Sequence, residues 1–251
     1  MRKYILSFLM LVTAFSAYSQ NDAKAWDRAN AHYINEEYQQ AVEVYDSLLK
    51  AGNTSHKLFY NLANAHFKLS NIGESVLCYN KALKIEPSDE DTKHNLAIVN
   101  TYVKDKIELV PVFILTRWSR SLSAMMSSNS WAVFALICLV VALGFVLLYL
   151  LSKNSRRRKL GFFSAIIFLF LTCNALIFSN QQREDIVRPS KAVIMSESVA
   201  VKSSPSKTST DIFVIHEGTT VRILQRMSNW CEISIADGNK GWVERSSVKM
   251  I

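Results

Sequence analysis

The sequence predicts a multi-part fold with an all-α repeat region, two transmembrane helices and a small C-terminal all-β barrel. Three observations lead to this prediction. Residues in the first half of the chain recur at an offset of 34. Two later stretches contain no charged residue over lengths close to the about 20 residues that cross a bilayer. After residue 189 the spacing of apolar residues changes from helical to alternating, which is typical of strands.

Composition excludes two classes of protein. The chain has 251 residues, of which 49% are hydrophobic, and this apolar content is too high for a long disordered chain. The net charge of +8 is concentrated in one short stretch rather than spread over a face. A basic groove for nucleic acid is therefore not expected. The cations of that stretch are Lys153, Arg156, Arg157, Arg158 and Lys159.

Residues 1–19 are predicted to be a signal peptide. Arg2 and Lys3 precede an apolar run, and Ala17 and Ser19 are small residues at the two positions that a signal peptidase reads. The alternative is an uncleaved N-terminal anchor. The apolar run is shorter than the about 20 residues that an anchor needs.

Residues 131–151 and 160–178 are predicted to form a transmembrane hairpin. The connection, residues 152–159, carries the five cations named above, and basic residues in a short loop mark the cytoplasmic side. Both flanking regions are then expected to face the periplasm, which agrees with the predicted signal peptide. The lipid bilayer is therefore a predicted partner of the chain. The alternative is a pair of buried helices in a soluble protein.

Two connecting segments flank the hairpin. In residues 108–130, Trp118 and neighbouring apolar residues stand beside cations, a pattern that suits a short helix at the membrane surface. A plain linker is the alternative. Residues 179–191 are predicted to be a second linker.

Residues 22–107 contain the repeat. At the offset of 34 residues, Ala29, Asn30 and Tyr45 match Ala63, Asn64 and Tyr79. This period is that of the tetratricopeptide repeat, which the segment resembles most closely in its second unit. Small residues are expected where paired helices approach closely, and a third helix over residues 91–106 caps the stack. Since at least three repeats are usually needed for stability, we expect either marginal stability or support from a neighbouring element. The small residues are Ala63, Ser75 and Ala82.

The resemblance implies a concave groove lined by the first helix of each unit. A related subgroup clamps a peptide carboxylate with cations, which are missing here, so a neutral or hydrophobic segment is the expected ligand. The alternative is that the aromatic residues only pack within the stack. His32 and His66 could suggest a metal, but their position favours packing. The predicted partner-binding residues of the groove are Trp26, Asn30, Tyr33, Tyr60, Asn64 and Phe67, followed by His94 and Ile98.

Residues 192–251 are predicted to be a small barrel. Short alternating segments over 221–224, 230–235 and 241–244 are typical of strands, and Asp237-Gly238-Asn239 is typical of a hairpin turn. The segment resembles bacterial SH3-like domains, whose known relatives bind cell-wall peptides or protein segments. Trp230 and Trp242 are candidates for partner binding, with a core position as the alternative. Val201-Lys202-Ser203 departs from the usual pattern of such domains.

No pattern in the sequence indicates an enzyme. Motifs for nucleophilic hydrolases, zinc proteases, phosphate-binding loops and dinucleotide sites are missing. The four cysteines lack the spacing of a metal site. We therefore predict no catalytic residue, no cofactor and no metal.

The order of these parts over the whole chain resembles the Bat (Bacteroides aerotolerance) family. The resemblance implies membrane-anchored partners, including von Willebrand factor A-domain proteins, and a link to aerotolerance, oxidative stress or envelope stress. The predicted function is a non-enzymatic inner-membrane scaffold. The alternatives are a sensor that binds peptidoglycan through the barrel, and thiol-based peroxide chemistry.

Overall fold

The computed structural model describes residues 23–107, 113–187 and 190–251. Within these ranges the chain is helical up to Val187 and forms strands from Lys191 onward. The predicted fold class is confirmed. The predicted signal peptide, residues 1–19, lies outside the described residues, as do residues 108–112 of the first connecting segment.

The repeat region consists of five consecutive helices. The turns within its two helix pairs share an unusual backbone conformation, since Glu36 and Ser70 both have positive φ, 63° and 62°. These residues are 34 positions apart, so the turn recurs with the repeat. The helices are α1 (23–34), α2 (Tyr38–Lys50), α3 (His56–Lys68), α4 (Ile72–Ile85) and α5 (Glu90–Tyr102).

Small residues allow α3 and α4 to approach closely, as predicted. Ala63, Ser75 and Ala82 are completely buried, and the Ser75 hydroxyl donates to the Ala63 carbonyl at 2.9 Å. Leu62 and Tyr79 fill the space beside them and are also buried. The close packing of the two helices therefore depends on side chains that leave room for the neighbouring backbone.

Two long helices follow the repeat region. They are α7 (Ser128–Leu151) and α8 (Ser155–Val187), and both are long and apolar enough to cross a membrane. Only 17% of the most apolar stretch of each is buried within the protein. Helices in the core of a soluble protein would be mostly buried, so the exposed apolar surface argues against that alternative.

The helix α8 is longer than the sequence predicted. It includes residues 155–159, which we predicted to belong to the loop, and residues 179–187, which we predicted to be a linker. The Asn154 side chain accepts the Arg156 N–H at 2.9 Å and thereby satisfies a backbone group of the first turn. Arginine and lysine also favour helices, so the basic stretch extends α8 instead of forming a loop.

Small residues lie where α7 and α8 cross. A side chain added at Gly161 would place its Cβ 2.8 Å from the Phe145 carbonyl oxygen, so only glycine fits this approach. Ala135 and Cys138 of α7 are buried in the contact, whereas Cys173 of α8 is exposed. All four cysteines are free thiols.

The end of the hairpin opposite the basic stretch is joined by polar contacts. The hydroxyls of Ser128 and Ser179 each donate to the other residue's carbonyl at 3.0 Å. The helix α6 (Ile114–Ser123) lies in the first connecting segment, where a helix was one of two alternatives. Trp131 and Gln182 both donate to the Ser123 carbonyl, at 3.0 and 2.9 Å, and so hold α6 at this end of the hairpin.

The C-terminal β domain, residues 191–251, is one antiparallel sheet. Its strand order is β3-β2-β6-β5-β4-β1-β7. The predicted turn is present, with Gly238 at a φ of 94°. The predicted strands correspond to β4, β5 and β6. The strands are β1 (Lys191–Ile194), β2 (Ser198–Lys202), β3 (Asp211–His216), β4 (Thr220–Met227), β5 (Trp230–Ser234), β6 (Lys240–Glu244) and β7 (Val248–Met250).

A carboxylate of the repeat region accepts three hydrogen bonds from the β domain. Asp105, just after α5, accepts the backbone N–H of His216 at 2.7 Å, the imidazole Nδ1 of His216 at 2.7 Å and the Thr219 hydroxyl at 2.6 Å. The Asp105 side chain is only 14% exposed. Hydrogen bonds to a partly buried carboxylate are strong, so Asp105 fixes the β3–β4 turn against the end of the repeat region.

Apolar and further polar contacts surround this carboxylate. A Cβ added at Gly218 would come within 2.9 Å of Val103, which shows how closely the turn approaches the repeat region. The Glu217 carboxylate accepts the Gly73 N–H at 2.8 Å, at the start of α4. Val193 and Ile251 of the β domain belong to the same buried core as the repeat helices. The β domain thus supplies the support that a short repeat stack requires.

We predict that Asp105→Ala loosens this docking. Three donors would lose their acceptor, at a cost of about 2 kcal/mol, which corresponds to a fall in melting temperature of about 4–8 °C for a unit of this size. Circular dichroism of the full-length protein in mild detergent measures the change. Asp27→Ala, at an exposed site on α1, is the matched control and should leave the melting temperature almost unchanged.

The same contact should depend on pH. Burial alone raises the pKa of Asp105, but hydrogen bonds from Thr219 and His216 and the charge of His216 outweigh it and hold that pKa below its ordinary value. The contribution to stability is therefore complete above the ordinary pKa of about 3.9 and is lost as the pH falls through the lowered value. The difference in melting temperature between wild type and Asp105→Ala should shrink below about pH 4. An unchanged difference at about pH 2 would contradict this assignment.

Candidate partner-binding surfaces

The aromatic residues predicted for the groove lie on the first helices of the repeat units and are half-buried. Trp26 packs edge-on against Tyr45 with ring centroids 5.8 Å apart, and Tyr60 packs in the same way against Tyr79 at 6.0 Å. Phe67 packs at 5.2 Å against Tyr102, which is itself 63% exposed. Each ring therefore packs against another aromatic ring of the repeat region, and part of its surface remains accessible to a partner.

The two asparagines predicted for the groove belong to an internal network. The Asn30 side-chain oxygen accepts the Tyr45 hydroxyl at 2.6 Å and the Asn61 amide at 3.1 Å. The equivalent oxygen of Asn64, one repeat later, accepts the Tyr79 hydroxyl and, at 3.2 Å, an amide N–H. The same pair of bonds thus occurs in both units. The Asn–Tyr network comprises Asn30, Asn61, Asn64, Asn95, Tyr45, Tyr60 and Tyr79.

This network determines what Asn30 and Asn64 can offer a partner. Burial raises the pKa of Tyr45 to about 12 and also raises that of Tyr79, so both hydroxyls stay protonated and remain donors. An amide oxygen has two lone pairs, and here both are used by the protein. A partner can therefore be held only by the amide N–H groups, which suits a ligand with carbonyl oxygens.

The roles of Asn61, Asn95, Tyr45 and Tyr79 in this network were not predicted from the sequence. The signal was available, because Tyr45 and Tyr79 are separated by the repeat period and the Asn61-Leu62-Ala63 sequence recurs at Asn95. His94 and Ile98 of α5 are exposed, as a groove position requires. His66 is buried next to Asn71, and burial lowers its pKa, which fits packing.

The tryptophans of the β domain lie on the outer face of the sheet. Cys231, Ile233 and Val243 point into the core, and side chains alternate along a strand, so Trp230 and Trp242 point the other way. Both are half-buried. This position leaves them available as a platform for a ligand.

A cleft of about 360 Å³ lies beside Trp230. Lys202 and Lys207 line it, together with Glu244 and small residues of β2. Lys207 is 3.4 Å from Glu244, and Lys202 is 2.5 Å from Asp211, so carboxylates balance both cations. The cleft therefore offers an aromatic surface and hydrogen-bonding groups without a net charge that would select an anion.

One polar cluster in the repeat region resembles a catalytic set but caps a helix. His56 lies 3.3 Å from Asp89 and 3.0 Å from the buried Thr92 hydroxyl. Asp89 also accepts the Thr92 N–H at 2.8 Å, which satisfies the first turn of α5. Among the described residues no group of three or more His, Cys, Asp or Glu could hold a metal ion.

Comparison with known proteins matches one segment of the repeat region and most of the β domain. Residues 56–89 match the tetratricopeptide repeat family and residues 197–249 match the bacterial SH3 domain family. One curated relative, the protein SGT1 homolog of Oryza sativa subsp. japonica, is 33% identical over 61 residues. The match covers 24% of this chain and 17% of that protein. Tetratricopeptide repeats and bacterial SH3 domains support a role in protein interaction or cell-wall binding.

We predict that Cys78 does not react with a maleimide in the folded protein. Its side chain is 5% exposed, and burial raises the pKa of its thiol to about 12, so almost no thiolate exists at neutral pH. A variant that retains only Cys78 should be labelled after denaturation alone, as read by mass spectrometry. Thr54→Cys, exposed and introduced in a cysteine-free background, is the control that should react at once. Rapid labelling of Cys78 in the native protein would contradict this prediction and would support thiol-based peroxide chemistry.

Proposed function

We propose that this protein is a non-enzymatic scaffold anchored in a bacterial inner membrane. The observation that carries the proposal is the docking of the β domain onto the repeat region. It combines two interaction domains in one unit, and its hydrogen bonds involve α4 and the segment after α5. The aromatic face on α1 and α3 can then meet a partner while the hairpin holds the unit at the membrane.

Both soluble regions are proposed to be periplasmic. A docked pair of domains on either side of two spans requires both domains to be on the same side of the membrane. The five cations at the opposite end of the hairpin favour the cytoplasmic side for that end. The predicted signal peptide supports the same orientation.

The proposed partner is another membrane-anchored protein. Two and a half repeat units offer a small groove, so useful affinity depends on the raised effective concentration that a shared membrane provides. The half-buried aromatics suit a neutral or hydrophobic segment. The arrangement of the whole chain resembles protein E of the Bat family, which suggests von Willebrand factor A-domain proteins as partners and a link to aerotolerance or envelope stress.

The absence of catalysis is part of the proposal. The two soluble thiols, Cys78 and Cys231, are buried, and burial raises the pKa of both. A peroxidatic cysteine needs a stabilised and accessible thiolate, which is the opposite arrangement. The His56 cluster serves as a helix cap.

A cell-wall sensor is the second candidate. The outer-face position of Trp230 and Trp242 favours it, since aromatic surfaces commonly hold saccharide or peptide ligands. In this case the β domain would be the ligand-binding module and the repeats would only transmit its occupancy.

We predict that the double substitution Tyr60→Ala and Phe67→Ala abolishes partner capture by crosslinking in intact cells. Large aromatics at the centre of an interface typically contribute about 2 kcal/mol or more, so the loss should be about 30-fold or greater. Crosslinked partners are quantified by mass spectrometry, and the amount of protein in the membrane fraction is measured in parallel.

Two further variants separate binding from folding. Ile98→Glu adds a charge at an exposed groove position without removing packing, and it should also reduce capture. Ile85→Ala, at an exposed apolar site at the end of α4, is the matched control and should leave capture intact. Unchanged capture in both groove variants, together with sedimentation of the full-length protein with purified cell wall, would favour the sensor.

We predict that both soluble regions are labelled from outside the inner membrane. In a cysteine-free background, Ser88→Cys in the repeat region and Ser206→Cys in the β domain are exposed sites that should react with an impermeant maleimide in spheroplasts. Asn154→Cys, at the basic end of the hairpin, should react only after permeabilisation. Labelling of one soluble site and protection of the other would exclude the hairpin.

A further inference from the structure

A second cleft lies at the basic end of the hairpin, between the last turns of α7 and the first turns of α8. Its volume is about 370 Å³. Three cations line it, Lys153, Arg158 and Lys159. The other two cations of the loop, Arg156 and Arg157, are not among its lining residues. Only three of the five cations of the basic stretch therefore belong to the cleft.

The positive charge of this cleft has no counterpart in the surrounding sequence. The chain contains no aspartate or glutamate between Glu108 and Glu184. Ion pairs among the described residues join groups of the repeat region and the β domain, and none involves residues 153–159. Like charges held close together repel one another, and a bound anion would relieve this repulsion.

Aromatic rings form the remainder of the cleft. The Arg158 guanidinium lies 5.3 Å from the centroid of the Tyr149 ring, within the range of a cation–π contact. Tyr149 in turn packs on Phe162 at 5.8 Å, and Phe162 on Phe163 at 5.5 Å. Arg158 is thereby positioned by an aromatic cluster, and its planar group can offer paired hydrogen bonds to a phosphate.

The position of the cleft specifies the kind of anion. It lies at the ends of two apolar helices, where the phosphate groups of a bilayer would lie. Two exposed apolar side chains, Phe162 and Phe163, line it. A ligand that suits both parts has a phosphate attached to hydrocarbon chains. A zwitterionic lipid carries its own ammonium group, which these cations would repel.

We propose that this cleft binds the phosphate-bearing headgroup of an anionic phospholipid, and this inference rests on the proposed membrane hairpin. The cations Lys153, Arg158 and Lys159 neutralise the phosphate, and the aromatic cluster holds Arg158 in place. The basic stretch then has two functions, since it orients the hairpin and also provides a defined lipid site.

The alternative is a diffuse attraction to which all five cations contribute equally. The chain provides a matched comparison, because two pairs of adjacent cations differ in position but not in charge. Arg158→Gln with Lys159→Gln removes two charges inside the cleft. Arg156→Gln with Arg157→Gln removes two charges outside it.

Native mass spectrometry of the full-length protein in mild detergent measures lipid retention. Phosphatidylglycerol and phosphatidylcholine are added in equal amounts, and we expect the wild type to retain phosphatidylglycerol preferentially. The cleft variant loses the paired hydrogen bonds that Arg158 gives the phosphate, so its relative affinity for phosphatidylglycerol should fall about 30-fold. The control variant should retain the preference. Equal losses in the two variants would overturn the proposal.

A soluble phosphate is the other source of the same chemistry. Glycerol phosphate shares the headgroup but lacks the hydrocarbon chains, so we expect it to compete poorly. Displacement of phosphatidylglycerol at equal concentration would overturn the lipid assignment. Equal melting temperatures of the two double variants by circular dichroism exclude unfolding as the cause.

Carbonate extraction of cell membranes separates failure of this inference from failure of the scaffold. If carbonate releases the wild-type protein, the proposal of a membrane hairpin is wrong, and the proposal of a lipid site, which rests on it, is wrong as well. If the protein stays in the membrane but shows no preference for phosphatidylglycerol, only the lipid site is wrong.

Discussion

The three hydrogen bonds accepted by Asp105 are the contact on which the rest of the structure depends. The repeat region has five helices, of which residues 56–89 match a tetratricopeptide repeat, and a stack of fewer than three repeats usually needs further support. The β domain provides this support, since Val193 and Ile251 complete the buried core of the repeat helices. The Asp105 carboxylate makes this contact directional, because three donors of His216 and Thr219 converge on its two oxygens.

This docking also constrains the hairpin. Asp105 and His216 are 111 residues apart in sequence, and both long apolar helices lie between them. Two spans return the chain to the side from which it left, whereas one span would separate the domains. The contacts between Ser128 and Ser179 close the hairpin at the end that faces the domains, and the aromatic cluster around Tyr149 closes the other. The two ends differ in chemistry, since the five cations of residues 153–159 lie at only one of them.

The sequence predicted features whose signal is local or periodic. The offset of 34 residues was sufficient to place the small residues Ala63 and Ser75 at the contact between α3 and α4. The charge-free stretches identified α7 and α8, but not the extension of α8 through its basic first turns, because a run of cations is compatible with both a loop and a helix. The docking could not be predicted, since nothing around Asp105 distinguishes it from a surface aspartate until the β3–β4 turn is brought beside it.

The candidate groove shows a different limit of sequence reasoning. The residue types at Asn30 and Asn64 were recognised as amides on a concave surface, yet their oxygens bind Tyr45, Tyr79 and neighbouring amides. A pattern alone cannot tell whether a polar side chain serves the fold or a ligand, because both uses require the same residue at the same spacing. In the Asn–Tyr network the side-chain oxygens of Asn30 and Asn64 accept hydrogen bonds within the protein, so these two residues can offer a ligand only their N–H donors. Neutral N–H donors beside aromatic rings suit a ligand with carbonyl oxygens and apolar side chains. The geometry therefore favours an uncharged backbone segment over a terminal carboxylate. A carboxylate would need the cations that this face lacks.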